Sequence, residues 1–280
     1  MAKAKKKRPI TQQIKIEKSE KFKHSRVETA RLIRRYHVLN KELAKCRNAK
    51  TIDRKVEEGI LKEMEDMGGI DWYQKASQLG QSKTRGGDSS KWLMQTLESH
   101  CSELLKKNDR ESISILEVGA VAPDNYKPYL KKYPIQVYPI DLNPQHESIH
   151  KQDFLTMKPF KQFDIISLSL VINFVGDPKD RGKMLLHTRD FLYNISQTSK
   201  LHHLFIVLPL PCINNSRYMS HDHFLSIMTS IGYSLIHHHF SHKLAYYLFE
   251  LTSIPKSILE FKKKILKDGG GKNNFCIIIN

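Results

Sequence analysis

Cysteine is scarce in this chain. Four occur in 280 residues, and Cys46, Cys101, Cys212 and Cys276 stand far apart. No Cys-x-x-Cys pair exists, so neither a zinc site nor a disulfide framework is supported, and a reducing, intracellular compartment is the expectation. Long apolar runs are missing too. Hydrophobic residues make up 40%, enough for a packed core, yet no run reaches the roughly 18 residues that cross a bilayer. The start, Met1-Ala2-Lys3-Ala4-Lys5-Lys6-Lys7-Arg8-Pro9, lacks the apolar segment of a secretory signal. The expectation is a protein without a membrane span, a secretory leader or a bound metal.

Negative charge is the other deficit. The net charge is +17, and residues 1–50 hold 17 Lys and Arg against 4 Asp and Glu. Basic arms of this kind bind polyanions through phosphate contacts and counterion release. Nucleic-acid contact with nuclear targeting is the leading reading, ahead of a bare import signal or an anionic membrane surface.

Three regions follow from composition and periodicity. Residues 1–24 are basic with little periodicity and read as a disordered tail. Residues 25–110 form a helical region. Leu32, Tyr36, Leu39, Leu43 and Cys46 make one helical stripe, and Ile52, Val56, Ile60, Met64 and Met67 a second that stops at Gly68-Gly69. Asp88-Ser89-Ser90 is an N-cap signal for a third helix carrying Leu93, Leu97, Cys101 and Leu104. Residues 111–280 alternate strands and helices. Strands are expected at Ile113–Val118, Gln136–Ile140, Phe163–Val171 and His203–Leu208, and helices at Arg181–Ser196 and Asp222–Ile231. Tyr233–Phe240 and Lys243–Leu251 read as a long strand or hairpin, Ser257–Lys267 as a basic helix, and Phe275–Ile279 as a last strand. The fold class is α/β: a three-layer parallel sheet with an antiparallel carboxy-terminal edge.

The most informative pair is Gly119, ending the first strand, and Asp141, ending the second. They lie 22 positions apart, near the spacing of roughly 20 at which a doubly wound sheet holds a nucleoside. Dinucleotide sites need several glycines around the pyrophosphate. Here the turn Gly119-Ala120-Val121-Ala122-Pro123-Asp124 has one glycine and a proline, which suits a cofactor without phosphates such as S-adenosylmethionine. A side chain at 119 would intrude where the cofactor meets the backbone. The Asp141 carboxylate can accept two vicinal ribose hydroxyls; the alternative is an exposed acid at a strand end. Glu117 steadies this loop, in direct contact with the cofactor or from behind it.

From residue 112 on the chain resembles class I S-adenosylmethionine-dependent methyltransferases. As a whole it resembles the fungal 25S rRNA adenine-N(1)-methyltransferases, nucleolar enzymes acting in ribosome assembly. The resemblance is carried by Leu116-Glu117-Val118-Gly119, Pro139-Ile140-Asp141-Leu142-Asn143, Gln152-Asp153-Phe154 and Ser169 to Val175. It continues through Asp180-Arg181-Gly182-Lys183-Met184-Leu185, Leu208-Pro209-Leu210-Pro211-Cys212, Asn215-Ser216-Arg217-Tyr218 and Asn273-Asn274-Phe275. Upstream, Tyr73 to Ser77 and Arg85 to Ser90 also match.

This resemblance implies that Asp153 accepts the adenine amino group of the cofactor, with Phe154 covering the ring; a helix cap is the competing reading for Asp153. It places Asn173 and Phe174 at the methyl group, Asn173 on the edge of the target base and Phe174 stacked on it. Amino-methylating relatives follow this Asn or acid with Pro-Pro, which is absent here, so a ring nitrogen fits better than an exocyclic amine. Arg181, Lys183, Arg217 and Tyr218 are the candidates to hold RNA. The partner implied is rRNA or a pre-ribosomal particle, and the location the nucleus and nucleolus. The resemblance also reaches animal relatives that sense S-adenosylmethionine through protein partners, and a non-catalytic sensor is the alternative. Cys212 has no base partner to make it a nucleophile. His237-His238-His239 in a strand face alternate sides and cannot converge on one metal.

Overall fold

A computed structural model describes residues 26–47, 49, 53–69, 71–72, 89–102, 105 and 112–280. The basic tail 1–24, the motif Tyr73 to Ser77 and Arg85 to Asp88 lie outside the described residues.

Seven strands form one sheet: β1 (Ile113–Val118), β2 (Ile135–Asp141), β3 (His150–Lys151), β4 (Ile165–Ser169), β5 (His203–Pro209), β6 (Tyr233–Phe240) and β7 (Leu244–Leu251). Their order is β3-β2-β1-β4-β5-β7-β6. β1 to β5 pair in parallel, while β7 runs antiparallel to both β5 and β6. The hairpin β6–β7 is the antiparallel edge anticipated from the sequence. All six residues of β1 are buried, because the strand sits mid-sheet with both faces covered.

Alternation divides the core. Leu116, Ile166, Leu204 and Ile206 face one cluster; Ile115, Ile165, Phe205 and Val207 face the other. The first face is covered by α4 (Pro178–Phe191), α6 (His221–Ser230) and the apolar end Phe275, Ile277 and Ile279. The second is covered by α3 (Ser90–His100) through Leu93, Met94 and Leu97, so α3 packs with the sheet across the 110/111 boundary. A short α5 (Pro211–Asn214) follows β5. The class I α/β architecture is therefore present.

α1 (Arg26–Arg47) and α2 (Arg54–Asp66) form a hairpin around Leu39, Leu43 and Ile60. Arg35 grips Glu63 with two hydrogen bonds of 2.6 and 2.7 Å, and Arg47 Nε lies 2.6 Å from Glu57. The Asp53 side chain caps α2 by accepting from Lys55 N and Val56 N. After α2 the chain turns at Gly68 and Gly69, both at positive φ.

Three elements depart from sequence expectation. The helix around Met184 starts at Pro178 rather than Arg181, because Asp177 caps it and proline suits its first turn. No helix forms in Ser257–Lys267. Ile258 and Phe261 pack on the core but Leu259 and Ile265 stay exposed, and backbone N–H groups of the segment bond to Arg217 O and Ile279 O instead of to a helical turn. Phe275, Cys276, Ile277 and Ile279 are buried but join no sheet; Ile279 makes a single antiparallel bridge with Phe261.

Candidate active site

The strand order reverses between β1 and β4, and in such sheets ligands lie in the crevice beyond the carboxyl ends at that point. Gly119 follows β1 with φ +73°. Its N–H and that of Ala120 both donate to Ile140 O, at 2.8 and 3.0 Å. A Cβ at 119 would stand 2.7 Å from Val171 Cγ2. Backbone conformation and the closeness of the β4 loop therefore both demand glycine.

Asp141 ends β2, and its Oδ1 accepts from Asn143 N at 2.7 Å, a turn that fixes the carboxylate at the strand end. Asn143 Nδ2 in turn donates to Asp71 Oδ1 at 2.8 Å, so the chain after α2 meets this loop. Glu117 is buried, and its Oε1 accepts from Asn125 Nδ2 at 2.7 Å. Asn125 O accepts from Ser90 Oγ, which ties the loop after β1 to α3. Asp153 lies past β3, and its Oδ1 caps Leu155 N at 2.9 Å. With Thr156, Asp180, Lys183 and His187 it lines one cleft. Phe154 corrects an expectation. It is buried among His187 and Phe191, with ring centroids 5.1 and 5.3 Å away, and so serves as a core aromatic rather than a cover for adenine.

Beyond β4 the backbone is held in an uncommon conformation. Leu170 has φ +59°, rare for a branched residue, while its N–H still bonds to Val207 O at 2.9 Å. Ser169 Oγ pairs with Ser89 Oγ at 2.8 Å. The chain then buries Ile172 and delivers Asn173, which is 8% exposed. Among the described residues, Asn173 Oδ1 is buried with no hydrogen-bond partner. An orphaned oxygen of this kind costs about 1–3 kcal/mol, and folds retain such atoms where water or a ligand satisfies them. Phe174, partly exposed, follows in a turn closed by its N–H to Val171 O. The bare backbone at Gly119, the carboxylate at Asp141 and the orphaned amide at Asn173 fit a nucleoside cofactor beside a base.

The four candidate RNA contacts separate. Arg181 is 1% exposed. It donates to Val175 O, Cys276 O and Gly176 O at 2.8, 2.7 and 3.4 Å, and its guanidinium lies 4.7 Å over the Phe275 ring. Burial lowers its pKa. Arg181 therefore ties the Asn173 loop to the carboxy-terminal segment, and expecting it to hold RNA is wrong because its donors are spent on carbonyls. Arg217 is a second clasp. It donates to Lys272 O, Asn274 Oδ1 and Gly269 O at 3.1, 2.9 and 3.2 Å. Tyr218 is partly exposed, with Lys263 Nζ 4.4 Å above its ring. Lys183 is exposed and pairs with Asp180 at 2.8 Å.

Lys41 went unnoticed in the sequence. Burial and then Arg181 lower its pKa, so this α1 side chain lies within electrostatic reach of the Arg181 clasp. α1 reaches the same rim elsewhere: a Cβ on Gly176 would lie 2.8 Å from Ala44 Cβ and 2.9 Å from Asn40 O. No pattern in the apolar stripe of α1 marks this second contact face.

The histidines alternate as expected. His237 stacks on Trp92 and His100, and His238 lies by His221. Among the described residues no three His, Cys, Asp or Glu are grouped to hold a metal ion. Burial pushes the Cys212 thiol up to about 11, so it is a poor nucleophile.

The family described as "25S rRNA (adenine(2142)-N(1))-methyltransferase, Bmt2" matches residues 58–277. The 25S rRNA adenine-N(1) methyltransferase of Schizosaccharomyces pombe is 37% identical over 276 residues, covering 96% of this chain and 98% of that protein. The 25S rRNA (adenine(2142)-N(1))-methyltransferase of Saccharomyces cerevisiae is 36% identical over 225 residues, covering 79% of this chain and 63% of that one. Among solved structures, the N-methyltransferase NodS of Bradyrhizobium japonicum, in complex with S-adenosyl-L-homocysteine, aligns at a TM-score of 0.42 and 12% identity over 78% of this chain and 98% of that chain. On the full-length match, the chain belongs to the Bmt2 family of 25S rRNA adenine-N(1) methyltransferases.

Proposed function

We propose that this protein methylates N1 of an adenine in 25S rRNA, with S-adenosyl-L-methionine as methyl donor. The observation that carries this reading is the match along 96% of the chain to a curated enzyme of that activity. When bound, the cofactor supplies an electrophilic methyl carbon on a cationic sulfur. Gly119 offers it bare backbone, Asp141 accepts its ribose hydroxyls, and Asp153 accepts its adenine amino group. Glu117, through Asn125, holds the loop after β1 in place.

N1 of adenine carries an in-plane lone pair and needs no proton removed before attack. The protein's task is then alignment of N1 with the methyl carbon. The buried oxygen of Asn173 accepts from the amino group of the target adenine, and Phe174 stacks on the ring. Methylation at N1 also requires an unpaired or flipped adenine. The rRNA substrate and the basic amino-terminal arm support a nucleolar location and a place in ribosome assembly, on naked rRNA or on a pre-ribosomal particle.

The test is nucleoside mass spectrometry of 25S rRNA from cells with and without the protein. N1-methyladenosine should fall by one modification per 25S molecule and return with the intact gene but not with Asp141→Ala. An unchanged N1-methyladenosine level overturns the reading.

A further inference from the structure

We propose that residues 252–274 form a basic strap that grips the phosphate backbone of the RNA flanking the target base, a deepening that rests on the rRNA-substrate reading above.

This segment contains six lysines, Lys256, Lys262, Lys263, Lys264, Lys267 and Lys272, against two acids, Glu260 and Asp268. It makes no helix and no strand of the sheet, and most of it is exposed. A basic loop of this kind is ordinarily a solvated, mobile connection. This one is tied down along its length. Phe261 and Ile279 exchange backbone hydrogen bonds of 2.9 and 3.1 Å. Leu266 N and Lys267 N both donate to Arg217 O, at 2.7 and 3.2 Å. The Arg217 guanidinium closes on the carbonyls of Gly269 and Lys272. Asn273 Nδ2 donates to Pro211 O at 2.6 Å, and Asn215 Nδ2 to Gly271 O at 3.2 Å. Side-chain amides and a guanidinium are thus spent on fixing backbone that packs on the sheet core only through Ile258 and Phe261, while five of the six lysines are exposed, Lys262 among them in an ion pair with Glu260 at 2.9 Å.

The strap is also in the right place. Its ties run to residues 211–217, which follow the carboxyl end of β5. Its root, Cys276, accepts from the same Arg181 that holds Val175 and Gly176, immediately after the Asn173 loop. Arg181, which holds Cys276 O, also donates to Gly176 O, and a Cβ on Gly176 would lie 2.8 Å from Ala44 Cβ of α1, so the strap's root and the basic helix α1 border the same rim. Leu259 and Ile265 are 70% and 59% exposed among these cations. Lysines with interleaved aliphatic groups, and Tyr218 under Lys263, suit phosphates with sugar and base faces between them. An acidic protein surface is the competing partner. RNA is favoured because the strap shares a rim with a site whose substrate is a polynucleotide.

The experiment compares the full-length protein with Lys262→Gln/Lys263→Gln/Lys264→Gln and with the same three positions changed to Arg. None of the three lies in the cofactor site. Binding to transcribed 25S rRNA is measured across a salt titration, alongside cofactor affinity, melting temperature and methyl transfer. The Gln variant should bind RNA at least about tenfold more weakly at low salt. Its slope of log K against log salt should flatten by about 2, near 0.7 for each single-strand phosphate that is no longer neutralised. Cofactor affinity and melting temperature should be unchanged, and the Arg variant should restore binding. Wild-type affinity and slope in the Gln variant, or failure of Arg to restore binding, overturns the strap. If the Gln variant keeps its RNA affinity but loses association with a ribosomal protein, the partner is protein and the proposal also fails. The outcomes for the strap and for the function are separable. Weakened RNA binding by the Gln variant of a protein whose wild type transfers no methyl group would uphold the strap and sink the function; active wild type with an unaffected Gln variant would do the reverse.

Discussion

Asn173 carries a cost that its proposed role would explain. Its buried oxygen has no partner among the described residues, so Asn173→Ala should remove a penalty and, on that proposed role, a contact to the target base as well. Turnover should fall by about a hundredfold or more, whereas stability should hold or rise by up to about 1 kcal/mol. Single-turnover kinetics and urea unfolding read the two effects separately; a stability loss equal to that of an ordinary core truncation would refute the assignment. Gly119→Ala must adopt φ +73° and displace Val171, so cofactor affinity should drop at least about tenfold by calorimetry, with about 1–2 kcal/mol lost from the fold. His203 adds a pH dependence. Burial, then the neighbouring His202, pushes its pKa down to about 3, while its Nε2 sits 3.3 Å from Cys101 Sγ. Because the folded value lies below the unfolded one of about 6.5, the contribution is complete above pH 6.5 and is lost as pH falls toward 3. The slope should approach about 1.4 kcal/mol per pH unit, and His203→Gln should flatten it in acid unfolding.

Arg181 fastens three carbonyls across two segments. Its replacement by Leu leaves Val175 O, Gly176 O and Cys276 O without that donor. Such a loss should cost about 3 kcal/mol or more in urea unfolding, and the salt dependence of RNA binding by the folded fraction should not change. An unchanged stability with weakened RNA binding would return Arg181 to the RNA surface. The helical hairpin α1–α2 was legible as two stripes because hydrophobic periodicity is a local property of the chain. Its second contact, Asn40 and Ala44 against Gly176, was not, because close backbone approach leaves no apolar signature. The expected helix at Ser257–Lys267 failed for the converse reason. Its spacing resembles an amphipathic pattern, but Leu259 and Ile265 find nothing to pack against, and the segment takes its hydrogen bonds from Arg217 and Ile279 instead.

Among the described residues, the segments before the sheet reach the carboxyl ends of the strands through Asp71 to Asn143, Ser89 to Ser169, Ser90 to Asn125 and α1 to Gly176. Charge is arranged on a larger scale still. Much of the +17 sits in residues 1–50 and more in the strap. Removing residues 1–24, which hold 9 Lys and Arg against 2 Glu, should flatten the salt dependence of RNA binding and leave cofactor affinity intact; a change in cofactor affinity would show that the arm acts on the pocket. The α/β class, the Gly119–Asp141 pair, the strand end that delivers Asn173 and the basic balance were all legible in the chain alone. Each rests on neighbours in sequence: alternation, a strand end, a run of charge. Tertiary structure decided that Phe154 is core, that Arg181 and Arg217 are clasps, and that five of the six lysines of the strap are exposed. Those outcomes depend on which distant carbonyl a donor meets, as with Arg181 and Cys276, 95 positions apart, and burial at that range leaves no periodic trace in the chain.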